Sequence, residues 1–122
     1  ELIEMYQEEL GKIPGIRFPA LREGVSSSWN YMVILVEDGK APFSRDELFQ
    51  YLKEQGIQTK RYFFPPVHLM DVYRRLLGDG VPRLPVTERV ARNALALPLY
   101  SHMDDGTVLS VCRAVHSLAE TK

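Results

Sequence analysis

The stretch that decides the fold is WNYMVILV, residues 29–36, in which every side chain except that of Asn30 is apolar or aromatic. β-branched and aromatic residues in so short a run favour a strand. Because polar residues do not alternate with the apolar ones, the run predicts a central strand covered, at least in part, on both faces. Polar residues at 22–28 and a Gly- and Pro-containing stretch at 37–42 predict loops on either side.

Two capping signals place helices around this strand. Ser44 and Glu47 form a capping box, which predicts a helix from Ser44 to about Gln55. Asp104 or Asp105 is the expected N-cap of the last helix. The apolar residues of that last helix recur at helical spacing and are Val108, Val111, Cys112, Val115 and Leu118.

The other elements complete a predicted α+β fold. They are a first helix ending near Gly11, an extended piece at 16–20, a strand at 57–64, helices at 68–77 and 87–95, and an extended segment at 96–100. In the helix at 68–77 we expect Met70, Tyr73 and Leu77 to point inward. Pro98 predicts an edge strand or coil at 96–100. Together these elements predict a small mixed or antiparallel sheet with helices mainly on one face.

The composition is that of one ordinary globular domain. The chain has 122 residues, 45% of them hydrophobic and 25% charged, so it can bury a core without disulfides. Its formal net charge of −1 predicts neither a nucleic-acid partner nor an anionic membrane surface. The apolar runs are too short to cross a bilayer. Cys112 is the single cysteine, which is compatible with a reducing, cytoplasmic setting.

The first ten residues have helical periodicity from the very start, with no Ser, Thr, Asp or Asn in the N-cap position. This pattern indicates a chain cut inside a helix, so we expect the 122 residues to be a fragment of a longer protein. The alternative is a small protein that has been processed or tagged.

The chain lacks a complete catalytic set. His68, His102 and His116 share no metal-ligand spacing, and no CxxC, HExxH, GxGxxG, P-loop or GxSxG motif occurs. We expect His116 to be structural, His102 to serve a loop or cap, and Cys112 to be a buried, inert thiol. No catalytic residue and no metal site are therefore assigned.

One stretch remains, KRYFFPPVH at residues 60–68. If it continued the strand, Tyr62 and Phe64 would face one side of the sheet, and Arg61 and Phe63 the other.

Pro65 and Pro66 then fix the direction of the chain and present His68 near the strand end. This arrangement suits the rim of a site. It also suits two core aromatics followed by a solvated histidine, and the residues alone favour that second interpretation.

Several segments together resemble a known family. They are SSWNY at 27–31, GIQTKRYFFPPVH at 56–68, Thr87-Glu88, and LPLY at 97–100. In this order they look like the C-terminal domain of the DegT/DnrJ/StrS sugar aminotransferases, which are pyridoxal 5′-phosphate (PLP) enzymes of the aspartate-aminotransferase fold. The resemblance implies that residues 1–122 form one small domain, with residues 1–11 as the end of the interdomain helix.

The resemblance also implies a reaction. Family members transfer an amino group, usually from glutamate, to a keto sugar carried on a nucleotide, through a Schiff base between PLP and a lysine. That lysine belongs to the N-terminal large domain. None of the five lysines here has the family's motif, so we expect no covalently bound cofactor and no activity from the chain alone. These lysines are Lys12, Lys40, Lys53, Lys60 and Lys122.

In the family, the active site lies between the large and small domains at a homodimer interface. The resemblance therefore implies that Tyr62, Phe64 and His68 contact the sugar or nucleotide, with Lys60 or Arg61 near phosphate.

A weaker candidate is Asn30, because a polar residue inside an apolar strand needs a partner. An isolated small domain should also expose an apolar patch, to which we expect the Leu2, Ile3 and Tyr6 stripe and the 62–64 edge to contribute.

Two other functions remain open at this point. One is a stand-alone α+β module that binds a small molecule or regulates another protein. The other is the same domain in a sugar dehydratase that uses PLP or pyridoxamine phosphate.

Overall fold

The predicted central strand is the middle of a four-stranded antiparallel sheet in the computed structural model, which describes residues 1–122. The strands are β1 (Ile16–Arg17), β2 (Met32–Val36), β3 (Lys60–Arg61) and β4 (Ala94–Leu97), in the order β1-β2-β4-β3. β2 therefore pairs with β1 on one side and β4 on the other, and β3 forms the far edge.

Five helices complete the α+β fold. They are α1 (Leu2–Leu10), α2 (Arg45–Glu54), α3 (Asp71–Leu77), α4 (Pro85–Asn93) and α5 (Asp105–Glu120), with short 3-10 turns at Val67–Leu69 and Gly78–Gly80. Contacts among α1, α2 and α5 gather these three helices against one face of the sheet, as predicted. None of the helices is long and apolar enough to cross a membrane.

The core lies between that face of the sheet and these helices. In the register of β2 and β4, Met32 lies opposite Leu97 and Ile34 opposite Leu95, so these four side chains share one face. All four are buried. The predicted apolar stripe of α5 is also buried in full and joins the same core.

Both capping predictions are confirmed. The Ser44 hydroxyl accepts a hydrogen bond from the Glu47 N–H at 3.1 Å, and the Glu47 carboxylate accepts one from the Ser44 N–H at 2.9 Å. At the start of α5, Asp104 Oδ1 accepts from the Thr107 N–H at 2.7 Å. Of the two candidate caps, Asp104 is therefore the one used.

The predicted strand at 57–64 is much shorter than expected. β3 ends at Arg61, and Phe63 has a φ of 50°, which turns the chain out of the sheet. The expected alternation, with Tyr62 and Phe64 on one face, is therefore wrong. Asn30 was also misplaced: it lies before β2 and is exposed, so it is not a polar residue inside a strand.

Two expectations about the second half of the chain are wrong, one of them in part. Met70, Tyr73 and Leu77 do not point inward, because α3 has no buried residue. Of the segment predicted at 96–100 as an edge strand or coil, residues 98–100 are coil, but Ala96 and Leu97 belong to β4, which is a buried central strand between β2 and β3. Pro98 lies just past its end, where no ladder hydrogen bond is lost.

The first helix is also more deeply packed than predicted. Tyr6 is fully buried, and its hydroxyl donates a hydrogen bond to the Pro98 carbonyl at 2.8 Å. Leu2 and Ile3 are partly buried against the core. The stripe expected to be exposed on α1 thus packs inside the domain, against α5.

The buried Tyr6 predicts a loss of stability in alkali. Burial, followed by the charges of Cys112 and Tyr100, raises the pKa of the Tyr6 hydroxyl well above its ordinary value. Unfolded tyrosine ionises at about pH 10, whereas folded Tyr6 keeps its proton to higher pH, so the stability it contributes is complete below that pH and is lost progressively as pH rises toward the raised folded pKa. We expect the free energy of urea unfolding to fall as the pH rises above about 10.

The matched measurement uses Tyr6→Phe in a Cys112→Ala background, because burial also raises the pKa of the Cys112 thiol to about 11. Tyr6→Phe should flatten the alkaline decline while costing about 1 kcal/mol at pH 7, since the Pro98 carbonyl loses its donor. An alkaline decline as steep as that of the background would contradict the assignment to Tyr6.

Candidate functional site

The most unusual surface of the molecule lies between residues 63 and 90. Here large apolar side chains point into solvent, with Leu76 75% exposed and Phe63 71% exposed. Seven of these exposed side chains line one groove and define the apolar face: Phe63, Val67, Tyr73, Leu77, Leu84, Val86 and Val90. Exposed apolar surface on this scale indicates a binding surface for a partner or a ligand.

A groove of about 710 Å³ runs through the apolar face. Tyr62, Phe63 and Tyr73 line it together with residues of α4, and most of its wall is apolar. His68 and Thr87 are the polar side chains among its lining residues. An apolar groove with a few polar groups is the usual form of a small-molecule site.

Aromatic rings cluster where Tyr62 and Phe63 line the groove. The Tyr62 ring lies 4.3 Å from that of Phe63 and 5.4 Å from that of Tyr31, measured between ring centroids. The Tyr31–Tyr62 pair is edge-to-face, a favourable geometry for two aromatic rings. Tyr31 is half-exposed and was not among the predicted site residues. Tyr31 immediately precedes β2 and lies beside Tyr62, which immediately follows β3. Its place next to a strand end is the signal that could have identified it.

Phe64 lies in a different environment, beside α2. The Arg45 guanidinium carbon is 5.0 Å from its ring centroid, and that of Arg61 is 5.9 Å away. Arg61 also stacks over Phe49 at 4.6 Å and pairs with Asp46 at 3.4 Å. These distances are typical of cation–π contacts, so Phe64 and Arg61 help to hold this edge of the sheet to α2.

The five predicted contact residues are therefore not all in one place. Tyr62 and His68 line the groove. Phe64 and Arg61 lie together beside α2. Lys60 lines a separate cavity of about 590 Å³ with Tyr100.

A buried arginine that was not predicted from the sequence hydrogen-bonds to the backbone of Ala91, a residue of the groove wall. Arg45 is only 3% exposed, and its guanidinium donates to the carbonyls of Ala91 and Ala94 at 2.8 and 2.9 Å and to Asp46 at 2.8 Å. It thereby joins the start of α2 to the junction of α4 and β4. A cation in the first turn of a helix opposes the helix dipole, and that local conflict was the available signal.

His68 is held by an acidic residue of α4. Its Nε2 lies 2.9 Å from Glu88 Oε1, and the same oxygen accepts a hydrogen bond from the Leu84 N–H at 3.3 Å. The hydrogen bond with His68, then that from Leu84, holds the pKa of the Glu88 carboxyl below its usual value. The side chain of His68 is 9% exposed, so the solvated histidine that the residues alone had favoured is wrong.

The charge around the groove differs from that of the whole chain. Residues 60–92 contain seven Lys or Arg and three Asp or Glu, a local net charge of +4 within a chain of net charge −1. Such a field attracts anionic ligands or surfaces. No group of three His, Cys, Asp or Glu side chains is arranged to hold a metal ion.

Comparison with known proteins identifies the family to which this fold belongs. Residues 1–116 match the model of the DegT/DnrJ/EryC1/StrS aminotransferase family. The chain belongs to this family. Within it, the chain is 31% identical over 109 residues to dTDP-4-amino-4,6-dideoxy-D-glucose transaminase of Escherichia coli, covering 89% of this chain and 29% of that protein.

Other family members give the same picture. The chain is 32% identical over 117 residues to dTDP-3-amino-3,4,6-trideoxy-alpha-D-glucose transaminase of Streptomyces venezuelae, covering 94% of this chain and 28% of that protein. The crystal structure of S. venezuelae DesV aligns with a TM-score of 0.81 at 31% identity over 98% of this chain and 30% of that one. DesI in the presence of its TDP-sugar product aligns with a TM-score of 0.86 at 26% identity, over 97% of this chain and 29% of that one. The fold is thus that of DegT-family aminotransferases, and the chain spans less than a third of the length of these relatives.

The lysines of this DegT-family chain do not form a PLP attachment site. None lines the groove. Lys12 pairs with Glu9 at 3.0 Å, and Lys40 pairs with Glu37 at 3.4 Å. Lys53, Lys60 and Lys122 are exposed, so none of them lies in an enclosed site of the kind that Schiff-base chemistry uses. The residues present do not fit a covalently bound cofactor.

Proposed function

We propose that residues 1–122 are the C-terminal small domain of a PLP-dependent aminotransferase, with residues 1–11 as the end of the helix that leads from an N-terminal large domain. The enzyme transfers an amino group, from glutamate, to a keto sugar carried on a nucleotide. The named relatives are transaminases of dTDP-linked amino sugars, and the chain covers under a third of each. The groove with His68 in its wall is the observation that carries this proposal.

Within that enzyme, this chain supplies binding and orientation. Tyr62 stacks against the sugar or the nucleotide base, and His68 hydrogen-bonds the sugar. Lys60, which lines the separate cavity and has no ion-pair partner, meets phosphate, while Arg61 and Phe64 hold this edge of the sheet to α2. The bound cofactor supplies the electron sink for the transfer. Its lysine comes from the large domain, since none of the lysines here fits that role.

The apolar face is the surface on which the large domain and a second subunit dock. Its exposed aromatic and aliphatic side chains are suited to a protein interface, and burying them would also exclude water from the groove. The enzyme we propose is a homodimer, and we place it in the cytoplasm, which the single, unpaired cysteine is compatible with.

His68→Ala in the full-length enzyme tests the proposed contact. With dTDP-4-amino-4,6-dideoxy-D-glucose and 2-oxoglutarate as the assay pair, we expect the KM for the nucleotide sugar to rise about tenfold, the effect of one lost hydrogen bond. The KM for 2-oxoglutarate should stay within about twofold of the unmodified value.

The matched control is His102→Asn, since His102 is exposed, lies outside the groove and has a φ of 68°, which Asn tolerates. Equal kinetics for His68→Ala and the unmodified enzyme would remove His68 from the site. No transamination of any nucleotide-linked amino sugar would overturn the proposed function as a whole.

A further inference from the structure

The His68 imidazole makes one hydrogen bond in the protein, through Nε2 to Glu88 Oε1 at 2.9 Å. Its other ring nitrogen, Nδ1, has no protein partner. Because the side chain lines the groove and is almost fully buried, the state of Nδ1 decides what His68 can offer to a ligand there.

The surroundings of Glu88 favour the ionised form of its carboxylate. It lies in the first turn of α4, where the helix dipole favours an anion. Its Oε1 accepts from the Leu84 N–H as well as facing Nε2, so the carboxylate is held from two directions. An ionised carboxylate can only accept hydrogen bonds, which requires the proton of His68 to be on Nε2.

We infer that Glu88 is a positioning residue that keeps the His68 proton on Nε2 and leaves the Nδ1 lone pair to accept a hydrogen bond from a hydroxyl group of the sugar in the groove. This inference rests on the proposed function, because it takes the groove as the sugar site. It adds a partner that holds the contact residue in one tautomer and one ring orientation. The competing role for Glu88 is purely structural: its hydrogen bond with His68 would only hold the 67–69 turn against α4, as a structural clasp.

The tautomer can be measured on the 122-residue chain by ¹⁵N NMR of the imidazole at a pH where it is neutral. We expect Nε2 to give a donor-type shift and Nδ1 an acceptor-type shift, with one tautomer populated. Glu88→Ala should move both shifts toward the average of two tautomers, and Glu8→Ala, a change to an exposed residue of α1, should not. A proton on Nδ1, or an unchanged pattern in Glu88→Ala, overturns the inference.

Kinetics of the full-length enzyme then separate positioning from a clasp. Glu88→Ala should raise the KM for dTDP-4-amino-4,6-dideoxy-D-glucose about tenfold when His68 is present, but by no more than about twofold in the His68→Ala background. Glu88→Gln, whose carbonyl can still accept from Nε2, should recover part of the loss. Equal effects of Glu88→Ala in both backgrounds show a structural clasp and overturn the inference.

The inference and the proposed function fail in different ways. If His68→Ala raises the sugar KM and Glu88→Ala does not, the inference is wrong and the proposed contact stands. If His68→Ala changes nothing, both the contact and the inference are overturned, whatever the NMR shows.

Discussion

Gly15→Ala should lower the free energy of unfolding by at least about 3 kcal/mol, among the largest effects expected of any single methyl group in this protein. Gly15 has a φ of 77°, a conformation that costs any L-residue energy. A Cβ there would overlap the backbone of Ala41, lying 2.6 Å from its Cα and closer still to its nitrogen. Backbone atoms cannot rotate away, so the turn between α1 and β1 would have to shift.

The sequence provides a matched control in Gly39. Its φ is 78°, nearly the same, but a Cβ there would meet no atom within 4 Å. Gly39→Ala should therefore lower the free energy of unfolding by only the cost of a positive φ, about 1 kcal/mol. Urea unfolding of both variants separates this conformational cost from the steric cost of the contact with Ala41. Equal losses in the two variants would show that the close approach to Ala41 carries no energy.

Arg45→Met should destabilise the chain by about 3 kcal/mol. The substitution keeps an apolar stem but leaves the buried carbonyls of Ala91 and Ala94 without their donor. Arg45→Lys should cost less than Arg45→Met, because its ammonium can replace Nη1 at the carbonyls but the Nε hydrogen bond to Asp46 is lost. Urea unfolding gives the energies. Hydrogen exchange should show α4 losing protection first.

Arg113→Met is the control for this pair, since Arg113 is an exposed residue of α5 and forms none of the ion pairs of the chain. Its replacement should change the unfolding free energy by less than about 0.5 kcal/mol. A loss for Arg45→Met no larger than that of Arg113→Met would mean that water replaces the guanidinium at both carbonyls.

The local sequence was sufficient to predict the elements whose stabilising contacts join residues close in sequence, or whose apolar pattern is strong. The Ser44–Glu47 capping box, the Asp104 cap and the buried stripe of α5 could all be predicted, because each depends on residues within a few turns of one another. The central position of β2 followed from its continuous apolar run.

Local chemistry failed between residues 62 and 97. The apolar spacing of Met70, Tyr73 and Leu77 predicted an inward face, but α3 has no core to enter and leaves them exposed. Apolar periodicity shows that one face of a helix is suited to burial, but it does not show what packs against that face. Similarly, the aromatics after Lys60 suggested a longer strand, whereas the positive φ of Phe63 ends it.

The sequence by itself determined the fold class, the central strand, the family and the absence of a Schiff-base lysine motif, because these depend on residue type and local order. Only the tertiary structure decided which side chains meet. It separated Tyr62 from Phe64, placed Arg45 on carbonyls 46 and 49 residues away, and joined His68 to Glu88 across 20 residues. Such contacts arise when distant segments pack together, and no local periodicity encodes them.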